Sequence, residues 1–405
     1  MSPLRLLADI NIPFAEIAFA GFGTVRTMPG RAITRADLMD TDVLLVRSAT
    51  PVTAEWLRGT PVRFVGTATA GTDHVDTDAF AEAGIGFAAA PGSNAESVVE
   101  YVLAALLLLA ANRRTGLRGK TLGVVGYGHV GSRVAQRAEA LGLRVLPADP
   151  PLADAADARG EAHPFIPLEV MLDEADIITL HTPLTTAAES QYPTRHLISA
   201  YELERLKPEA WLLNAARGAV VDNQALADAL YHERMGAAVL DVWEGEPAPD
   251  SGLARRVDIA TPHIAGYSFD GKVEGTRMLE EALRQWLAAE SVAPPAPWDV
   301  EAVLAPSPEE SLVLQAPLLP DVLTAEAEAR WLHHLTQQAY DLRADDARFR
   351  ATVIEADPEH RGAAFQHIRK TYPRRRVWGR FTVRGDVPDA MRIPLTEGLG
   401  MQVAD

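Results

Sequence analysis

Three polar side chains follow predicted buried strands in the second half of the chain: Arg217, Glu246 and His263. Arg217 comes just after the apolar run 211–214. Glu246 follows a run that ends at Asp241, and His263 follows a third apolar run. In an open parallel sheet, ligands bind outside the carboxyl ends of the strands. The three residues are therefore predicted to face one ligand site.

These residue types suit the oxidation of a 2-hydroxy acid by a nicotinamide cofactor. A histidine titrates near neutrality, so His263 can accept the hydroxyl proton while hydride leaves. The Glu246 carboxylate would hold the imidazole, and Arg217 would bind the substrate carboxylate in bidentate fashion. Taken singly, the same residues could be a surface ion pair, a turn carboxylate and a satisfied polar group. The hypothesis depends on a nicotinamide-binding signal elsewhere in the chain.

That signal is a glycine pattern directly after the apolar run 122–125. Gly126, Gly128 and Gly131 are spaced as Gly-x-Gly-x-x-Gly, with His129 and Val130 between the last two. In this pattern the first glycine makes a tight turn, the second admits a diphosphate and the third lets a helix pack on the strand. The helix amides would face the diphosphate. The alternative is a plain strand–turn–helix.

Asp149 specifies which dinucleotide the glycine turn would bind. It follows a second predicted strand, at 143–148. A carboxylate in this position accepts hydrogen bonds from the adenosine ribose and repels the extra phosphate of NADP. The predicted cofactor is therefore NAD.

Alternating strand and helix patterns place these groups in an α/β fold with two Rossmann-like, doubly wound parallel-sheet domains. Residues 1–95 contain apolar strand-like runs at 4–8, 43–46, 64–67 and 85–88, and residues 119–262 repeat the alternation around the glycine turn. Helices are predicted at 95–112 and 271–289, and the second would return the chain to the first unit. The predicted domains, with a cleft between the first two, are a discontinuous substrate domain (1–95 with 264–290), an NAD domain (96–263) and a C-terminal domain (291–405).

The C-terminal domain begins with a proline-rich linker at 291–308 and is predicted to be α+β, with strands at 310–315 and 377–383 and a helix at 325–343. It shows no catalytic motif. Its apolar residues favour a homodimer built through residues 309–405: Leu312, Leu314, Leu318, Leu319, Trp331, Leu332, Leu335, Tyr340, Trp378 and Phe381.

Composition excludes several classes of function. The net charge of −17 and the isoelectric point near 5.1 argue against a nucleic-acid or anionic-membrane partner. The chain has no cysteine, which rules out disulfides and thiolate chemistry, and no metal site is expected. The most apolar run, 98–111, contains Glu100 and is shorter than a membrane span, so a buried helix is predicted. The N-terminus lacks a signal-peptide core, and a cytoplasmic protein is expected.

The order of the motifs resembles that of the D-isomer-specific 2-hydroxyacid dehydrogenases. The matching stretches are the glycine turn at 126–131, Asn-x-x-Arg-Gly at 214–218, Asp-x-x-x-x-Glu-Pro at 241–247 and Pro-His-x-Ala-Gly at 262–266. The resemblance implies a catalytic triad of Arg217, Glu246 and His263. It also implies cofactor contacts from further residues: Asp149, Thr182, Asp241 and Gly266.

Within that superfamily, the stretches 46–50, 65–76, 263–267 and 339–346 resemble a sub-family that oxidises 4-phosphoerythronate in pyridoxal 5′-phosphate synthesis. This resemblance implies substrate contacts from Ser48, Thr69 and Tyr267, and the charge of Arg47 also suits a small phosphorylated 2-hydroxy acid. Capping of strand ends is the alternative role for the two hydroxyls. The alternatives for function are a related enzyme such as 3-phosphoglycerate dehydrogenase and a non-enzymatic, NAD-dependent corepressor.

Several polar residues remain outside these motifs. His74 and His181 are predicted to be structural. The polar loop 185–196 either covers the cofactor or is solvated. The cluster 374–376, three consecutive arginines, is predicted to be a solvated or subunit-contact patch, and phosphate binding across a dimer is the alternative.

Overall fold

The structure is a computed structural model that describes residues 3–318 and 322–404. Contacts divide the chain into two compact units. The first unit comprises residues 1–95 and 268–311, and the second comprises residues 96–267 and 312–405. Residues 312–405 thus share a unit with the predicted NAD domain, and the division into three domains stays a prediction.

The first unit is built on a five-stranded parallel sheet with the order β2-β1-β3-β4-β5. Its strands are β1 (Leu4–Asp9), β2 (Gly23–Met28), β3 (Val43–Val46), β4 (Phe64–Thr67) and β5 (Gly86–Ala89). Alternate residues enter two apolar clusters, with Leu6 in one and Leu7 in the other, so the sheet is buried on both faces. The sequence did not predict β2. That edge strand alternates exposed and partly buried residues and lacks the apolar run of a central strand.

The second unit contains a six-stranded parallel sheet with the order β11-β10-β9-β8-β6-β7. Its strands are β6 (Thr121–Val125), β7 (Arg144–Ala148), β8 (Ile177–Leu180), β9 (Trp211–Asn214), β10 (Ala237–Leu240) and β11 (Ile259–Ala260). A three-stranded parallel sheet follows, made of β12 (Val313–Gln315), β13 (Thr382–Arg384) and β14 (Gln402–Val403). The predicted fold of parallel α/β sheets with a further C-terminal part is confirmed.

The helices connect these strands in the alternating manner that the sequence predicts. In chain order they are α1 (Ala15–Ala18), α2 (Arg35–Leu38), α3 (Ala54–Leu57), α4 (Thr77–Glu82), α5 (Ala95–Asn112), α6 (Gly131–Ala140), α7 (Pro150–Arg159), α8 (Leu168–Glu174), α9 (Ala200–Arg205), α10 (Asn223–Tyr231), α11 (Ser251–Arg256), α12 (Phe269–Ala289), α13 (Val300–Leu304), α14 (Ala325–Ala339), α15 (Leu342–Phe349), α16 (Pro358–Lys370) and α17 (Asp389–Ile393). The predicted helix 325–343 is two helices, because Asp341 caps a new helix with hydrogen bonds from the Arg343 and Ala344 amides.

Helix α5 is the centre of the second unit's largest apolar cluster. Its length and composition would suit a membrane span, but 83% of it is buried inside the protein. The cluster joins α5 to residues of the six-stranded sheet such as Leu122, and to C-terminal residues such as Leu335 and Trp378. The prediction of a buried core helix is confirmed.

The same cluster corrects the argument for a dimer. Most of the apolar C-terminal residues proposed for an interface are already buried within this chain: Leu314, Trp331, Leu332, Leu335, Tyr340, Trp378 and Phe381. Leu312 packs partly buried against them, Leu318 is exposed, and Leu319 lies outside the described residues. These side chains stabilise the second unit itself, so their presence is no evidence for a subunit contact.

Candidate active site

The glycine turn lies where the strand order of the six-stranded sheet reverses. β6 pairs with β7 on one side and with β8 on the other, and Gly126 follows β6. Gly126 has φ +85°, and a Cβ atom on Gly131 would lie 1.9 Å from the Gly126 carbonyl oxygen. No described atom lies within 4 Å of a Cβ built on Gly128, so this position is open to a ligand. The geometry matches the three roles expected of these glycines, with the exposed His129 and the half-buried Val130 completing the turn.

Two further residues at this point fit a dinucleotide. The Thr182 hydroxyl is buried without a hydrogen-bond partner among the described residues, and its Cγ2 atom lies 3.0 Å from a Cβ built on Gly126. Asp149 follows β7 and accepts hydrogen bonds from the Tyr127 amide (2.7 Å) and the Leu152 amide (3.1 Å). A bound cofactor would form hydrogen bonds with both groups. One is the unsatisfied Thr182 hydroxyl beside the turn, and the other is the fixed Asp149 carboxylate at the neighbouring strand end.

Asp241 organises the loop that carries the predicted catalytic histidine. Its buried carboxylate accepts hydrogen bonds from the Thr261 hydroxyl (2.7 Å) and from the Ile264 and Ala265 amides (2.8 Å each). This arrangement fixes residues 261–265, which we call the histidine loop, and leads directly into Gly266. The cofactor contacts expected of Asp241 and Gly266 stay predictions.

His263 and Glu246 form a hydrogen-bonded pair, with 2.8 Å between Nδ1 and the Glu246 Oε2 atom. The other Glu246 oxygen accepts from the Trp243 amide at 2.9 Å. Burial alone would raise the pKa of Glu246, but the hydrogen bond and charge of His263 outweigh it and lower that pKa. Glu246 is therefore ionised near neutral pH, and whenever the imidazole is in its neutral form this carboxylate keeps the proton on Nδ1. Nε2 is left to exchange a proton with a substrate.

Arg217 lies at the same site. The Asn214 side chain fixes its turn, donating to the Arg217 carbonyl (2.9 Å) and accepting from the Ala216 amide (3.1 Å). Arg217, Glu246 and His263 line one cavity of about 330 Å³. The structure therefore brings together the three residues that the sequence placed after separate strands.

Sequence reasoning missed two charged residues of this cavity, Arg195 and Glu244. Arg195 belongs to the loop 185–196, which is held by its own hydrogen bonds, such as that from the Arg195 amide to the Thr185 carbonyl (3.0 Å). His196 follows it and pairs with Glu244 at 2.8 Å. The available signal in the sequence was the adjacent pair Arg195 and His196 in a polar loop. It did not identify a partner such as Glu244, which is distant in sequence.

The first unit positions the residues expected to contact substrate at its own strand ends. Arg47 and Ser48 follow β3, and Thr69 follows the neighbouring strand β4. The Arg47 guanidinium donates to the Asn11 carbonyl (3.1 Å), Ser48 is exposed, and the Thr69 hydroxyl donates to the Gly71 carbonyl (2.8 Å).

Tyr267, the remaining substrate residue, belongs to the second unit. Its ring packs edge-on against Tyr372, with 5.8 Å between the ring centroids. The Arg369 guanidinium lies 5.4 Å from the same ring.

The two histidines outside the triad lie near strand ends with hydroxyl partners. His74 Nε2 is 2.9 Å from the Thr67 hydroxyl, and His181 Nε2 is 3.0 Å from the Thr179 hydroxyl. Burial lowers the pKa of both rings, that of His181 to about 3. Both rings are therefore neutral near pH 7, as a structural role requires.

Two of the three arginines in the cluster 374–376 are not solvated. Arg375 and Arg376 are buried, whereas Arg374 is exposed. Arg375 donates to the Ser97 carbonyl (2.8 Å) and the Ala265 carbonyl (2.9 Å), and its guanidinium lies 4.2 Å from the Tyr340 ring centroid. The interpretation as a solvated patch was wrong for Arg375 because carbonyls and a ring from distant segments surround its side chain.

Residues 109–265 match the D-isomer specific 2-hydroxyacid dehydrogenase NAD binding domain, and residues 314–397 match a domain of unknown function (DUF3410). The chain is 50% identical over 404 residues to an erythronate-4-phosphate dehydrogenase of Salinibacter ruber, covering 100% of both chains. It is 46% identical over 404 residues to that of Pseudomonas aeruginosa, covering 99% of this chain and 100% of the relative. This chain belongs to the erythronate-4-phosphate dehydrogenase family. It is an NAD-dependent dehydrogenase, as the glycine turn and Asp149 predict.

Solved structures agree with this family's fold. The TT0316 protein from Thermus thermophilus is 31% identical, with a TM-score of 0.58, and the match covers 73% of this chain and 99% of that one. D-lactate dehydrogenase from Aquifex aeolicus, complexed with NAD and lactic acid, shares the fold at 24% identity, with a TM-score of 0.58 over 71% of this chain and 96% of that one.

Proposed function

We propose that this enzyme oxidises 4-phospho-D-erythronate to 3-hydroxy-2-oxo-4-phosphooxybutanoate with NAD, a step of pyridoxal 5′-phosphate biosynthesis. The observation that carries the proposal is the 2.8 Å pair of Glu246 and His263, which lines one cavity with Arg217 in an NAD binding domain. Full-length relatives named erythronate-4-phosphate dehydrogenase supply the substrate class.

His263 is the proposed base. The ionised Glu246 holds the Nδ1 proton, so the lone pair on Nε2 accepts the proton of the substrate 2-hydroxyl. The imidazolium that results is stabilised by the same carboxylate. In the reverse direction the imidazolium returns this proton to the carbonyl oxygen.

Arg217 is the proposed anchor for the substrate. Its guanidinium carries the positive charge that a 2-hydroxy carboxylate requires, and its place in the cavity puts that charge beside His263. It also favours the negative charge that develops on the 2-oxygen as the carbonyl forms. Bound NAD supplies the acceptor for the hydride that leaves C2.

The cofactor would be held by the glycine turn and its neighbours. The open face at Gly128 and the N-terminal amides of α6 suit the diphosphate. Asp149 suits the adenosine ribose, and the unpartnered Thr182 hydroxyl supplies a further donor.

Ser48, Thr69, Arg47 and Tyr267 are the proposed residues for the rest of the substrate. Phosphate contacts require hydroxyl donors and positive charge, and the first unit presents these at the ends of β3 and β4. The exposed Ser48 hydroxyl is available to a ligand, and the Asn11 carbonyl orients Arg47.

A homodimer in the cytoplasm is proposed for the enzyme. The dimer rests on family resemblance alone, because the apolar C-terminal residues are buried within the chain. The cytoplasmic location rests on the acidic composition and the absence of cysteine. Light scattering on the purified protein would measure the mass against the 43.7 kDa chain, and a monomer would contradict the dimer.

The activity test is direct. Purified protein with NAD is mixed with 4-phosphoerythronate, erythronate, 3-phosphoglycerate or D-lactate, and the initial rate of NADH formation is followed. The proposal expects much the highest kcat/KM for 4-phosphoerythronate. A preference for 3-phosphoglycerate or lactate would assign another reaction of the superfamily, and no turnover of any acid would favour a corepressor.

A further inference from the structure

The segment 341–376, which lies within the match to the domain of unknown function, contacts the strand and the loop that carry His263. The contacts lie within the second unit and engage the backbone on both sides of this histidine. Such support is needed because of the backbone conformation of His263 itself. His263 has φ +59°, a left-handed conformation that a residue with a Cβ adopts rarely, so neighbouring groups must hold it.

Asp346 supports the strand before the histidine loop. Among the described strands, β11 lies at the edge of the six-stranded sheet and pairs with β10, so its outer side presents backbone groups that need other partners. The Asp346 Oδ1 atom accepts the Ala260 amide at 2.7 Å. Asp346 is itself paired with Arg350 (2.8 Å), which donates to the Ala254 and Val257 carbonyls at 2.6 and 2.9 Å.

Arg375 supports the other side of the histidine. It donates to the Ala265 carbonyl at 2.9 Å and to the Ser97 carbonyl of α5 at 2.8 Å. The amide of Ala265 donates to Asp241, so both polar groups of this residue are held. Because Arg375 is buried against the Tyr340 ring, its guanidinium has little freedom to move away.

Aromatic contacts from the same segment reach the residues beside the pair. Phe349 stacks on Trp243 with 5.6 Å between ring centroids, and the Trp243 amide donates to Glu246. Tyr372 packs against Tyr267, and its hydroxyl donates to Asp345 at 2.7 Å. The segment therefore contacts the backbone around His263 and the ring of Trp243, the residue whose amide binds Glu246.

We propose that Asp346 and Arg375 are positioning residues for His263, so that the domain of unknown function completes the active site of its own chain. Neither residue is among the described residues that line the catalytic cavity, and both act through the backbone of residues 260–265. The inference rests on the proposed role of His263 in proton transfer. It gives this region a catalytic task that does not depend on a second subunit.

The test compares Arg375→Met with a matched control, Arg118→Met. Arg118 also joins the NAD binding domain to the C-terminal region, through two hydrogen bonds to Glu328 at 2.8 and 3.0 Å. Glu328 lies in α14, away from the cavity lining. Each variant loses two arginine hydrogen bonds between the same parts of the chain, but only Arg375→Met frees the Ala265 carbonyl.

We expect Arg375→Met to lower kcat about 10- to 100-fold, because a displacement near 1 Å at a reacting group can cost about 100-fold. The dissociation constant of NAD should stay within about twofold, since the glycine turn is untouched. Arg118→Met should keep the wild-type kcat per folded molecule. Arg375→Lys should recover part of the loss, because one ammonium group can reach one of the two carbonyls.

A second readout does not require turnover. The Nδ1 resonance of His263 is recorded by NMR with histidine labelled with ¹⁵N in the ring, and its signal is identified by its loss in His263→Ala. Arg375→Met should move this resonance, because a displaced imidazole has an altered hydrogen bond to Glu246, and Arg118→Met should leave it unchanged. If wild type oxidises none of the acids while this shift is still seen, the proposed function fails and the positioning role stands.

Equal kcat values and equal His263 Nδ1 resonances in Arg375→Met and Arg118→Met would overturn the proposal. Should Arg375→Met fail to fold, Asp346→Asn and Asp346→Ala replace it. Asn keeps an acceptor for the Ala260 amide and should stay active, whereas Ala should lower kcat. Indistinguishable activity of these two variants would also overturn the proposal.

Discussion

The two larger sheets have the same strand order relative to the chain, yet their carboxyl ends are built differently. In each sheet the order reverses beside the first strand, which pairs with the second on one side and the third on the other. In the second unit this point holds a glycine turn with an open face. In the first unit it holds Asp9 at the end of β1 and Arg47 with Ser48 after β3.

A buried aspartate follows or ends a strand in both units, but it does a different task in each. Asp241 accepts three hydrogen bonds from residues 261–265 and fixes the histidine loop, which carries His263 of the proposed catalytic pair. Asp9 accepts from the Asn11 amide (2.9 Å) and the Asn11 side chain (2.8 Å), and Asn11 orients Arg47. The second unit positions His263, the residue proposed to transfer a proton within a narrow geometry. The first presents exposed donors that suit binding of a charged group.

The largest effect is expected when the proposed proton-transfer group of the second unit, His263, is removed. His263→Ala should lower kcat by about 100-fold or more, because the proton-transfer group is lost, while NAD affinity changes little. Glu246→Gln is the companion variant and should shift the pH dependence of kcat. Stopped-flow measurement of NADH and titration of NAD binding check both. Near-normal turnover of His263→Ala would remove the mechanism.

The next largest effect is expected at Ser48 and tests whether the first unit binds the substrate phosphate. Charge-assisted contacts to a phosphate contribute about 1.5–3 kcal/mol each, and remote binding energy can also align the reacting carbon. Ser48→Ala should therefore lower kcat/KM for 4-phosphoerythronate about tenfold and leave the poor rate with unphosphorylated erythronate unchanged. Equal losses of kcat/KM with the two acids would show that Ser48 does not bind the phosphate.

A smaller effect concerns cofactor choice in the second unit. Asp149→Asn keeps an acceptor for the Tyr127 and Leu152 amides and removes the charge that repels the 2′-phosphate of NADP. The preference for NAD over NADP should fall about tenfold, on the scale of one charged hydrogen bond. Asp149→Ser should in addition weaken NAD. Ratios of kcat/KM for the two cofactors measure this, and an unchanged ratio would assign Asp149 to capping alone.

The smallest expected effect is on the stability of the second unit, and it comes from the buried carboxyl of Glu100. Burial raises the pKa of Glu100 to about 8 against the lowering charge of Arg375, with Glu96 and Arg137 acting more weakly. The unfolded chain releases this proton near pH 4 to 5 and the folded chain near 8, so stability falls as pH rises between these values. Glu100→Gln, which keeps an acceptor for the Trp378 amide, should be more stable than wild type at pH 8 by about 1 kcal/mol or more. Thermal unfolding at pH 4.5 and pH 8 checks this, and a gain that did not grow with pH would contradict it.

The sequence by itself determined the parts that depend on local pattern. Buried strands such as β3 and β10 are continuous apolar runs, the turn at Gly126 requires a positive φ, and the proposed catalytic residues follow strand ends. Because parallel strands bring their carboxyl ends to one edge of a sheet, the order of Arg217, Glu246 and His263 along the chain was enough to predict that they meet.

Only the tertiary structure decided which polar residues support that site and where the C-terminal apolar residues pack. Arg375 looked solvated within three consecutive arginines, yet it is buried against carbonyls from Ser97 and Ala265. Asp346 drew attention only as part of the stretch 339–346 that resembles the sub-family, yet it pairs with the edge of β11. These partners are far apart in sequence and come together only when the chain packs. No local sequence pattern indicates which distant residues will meet.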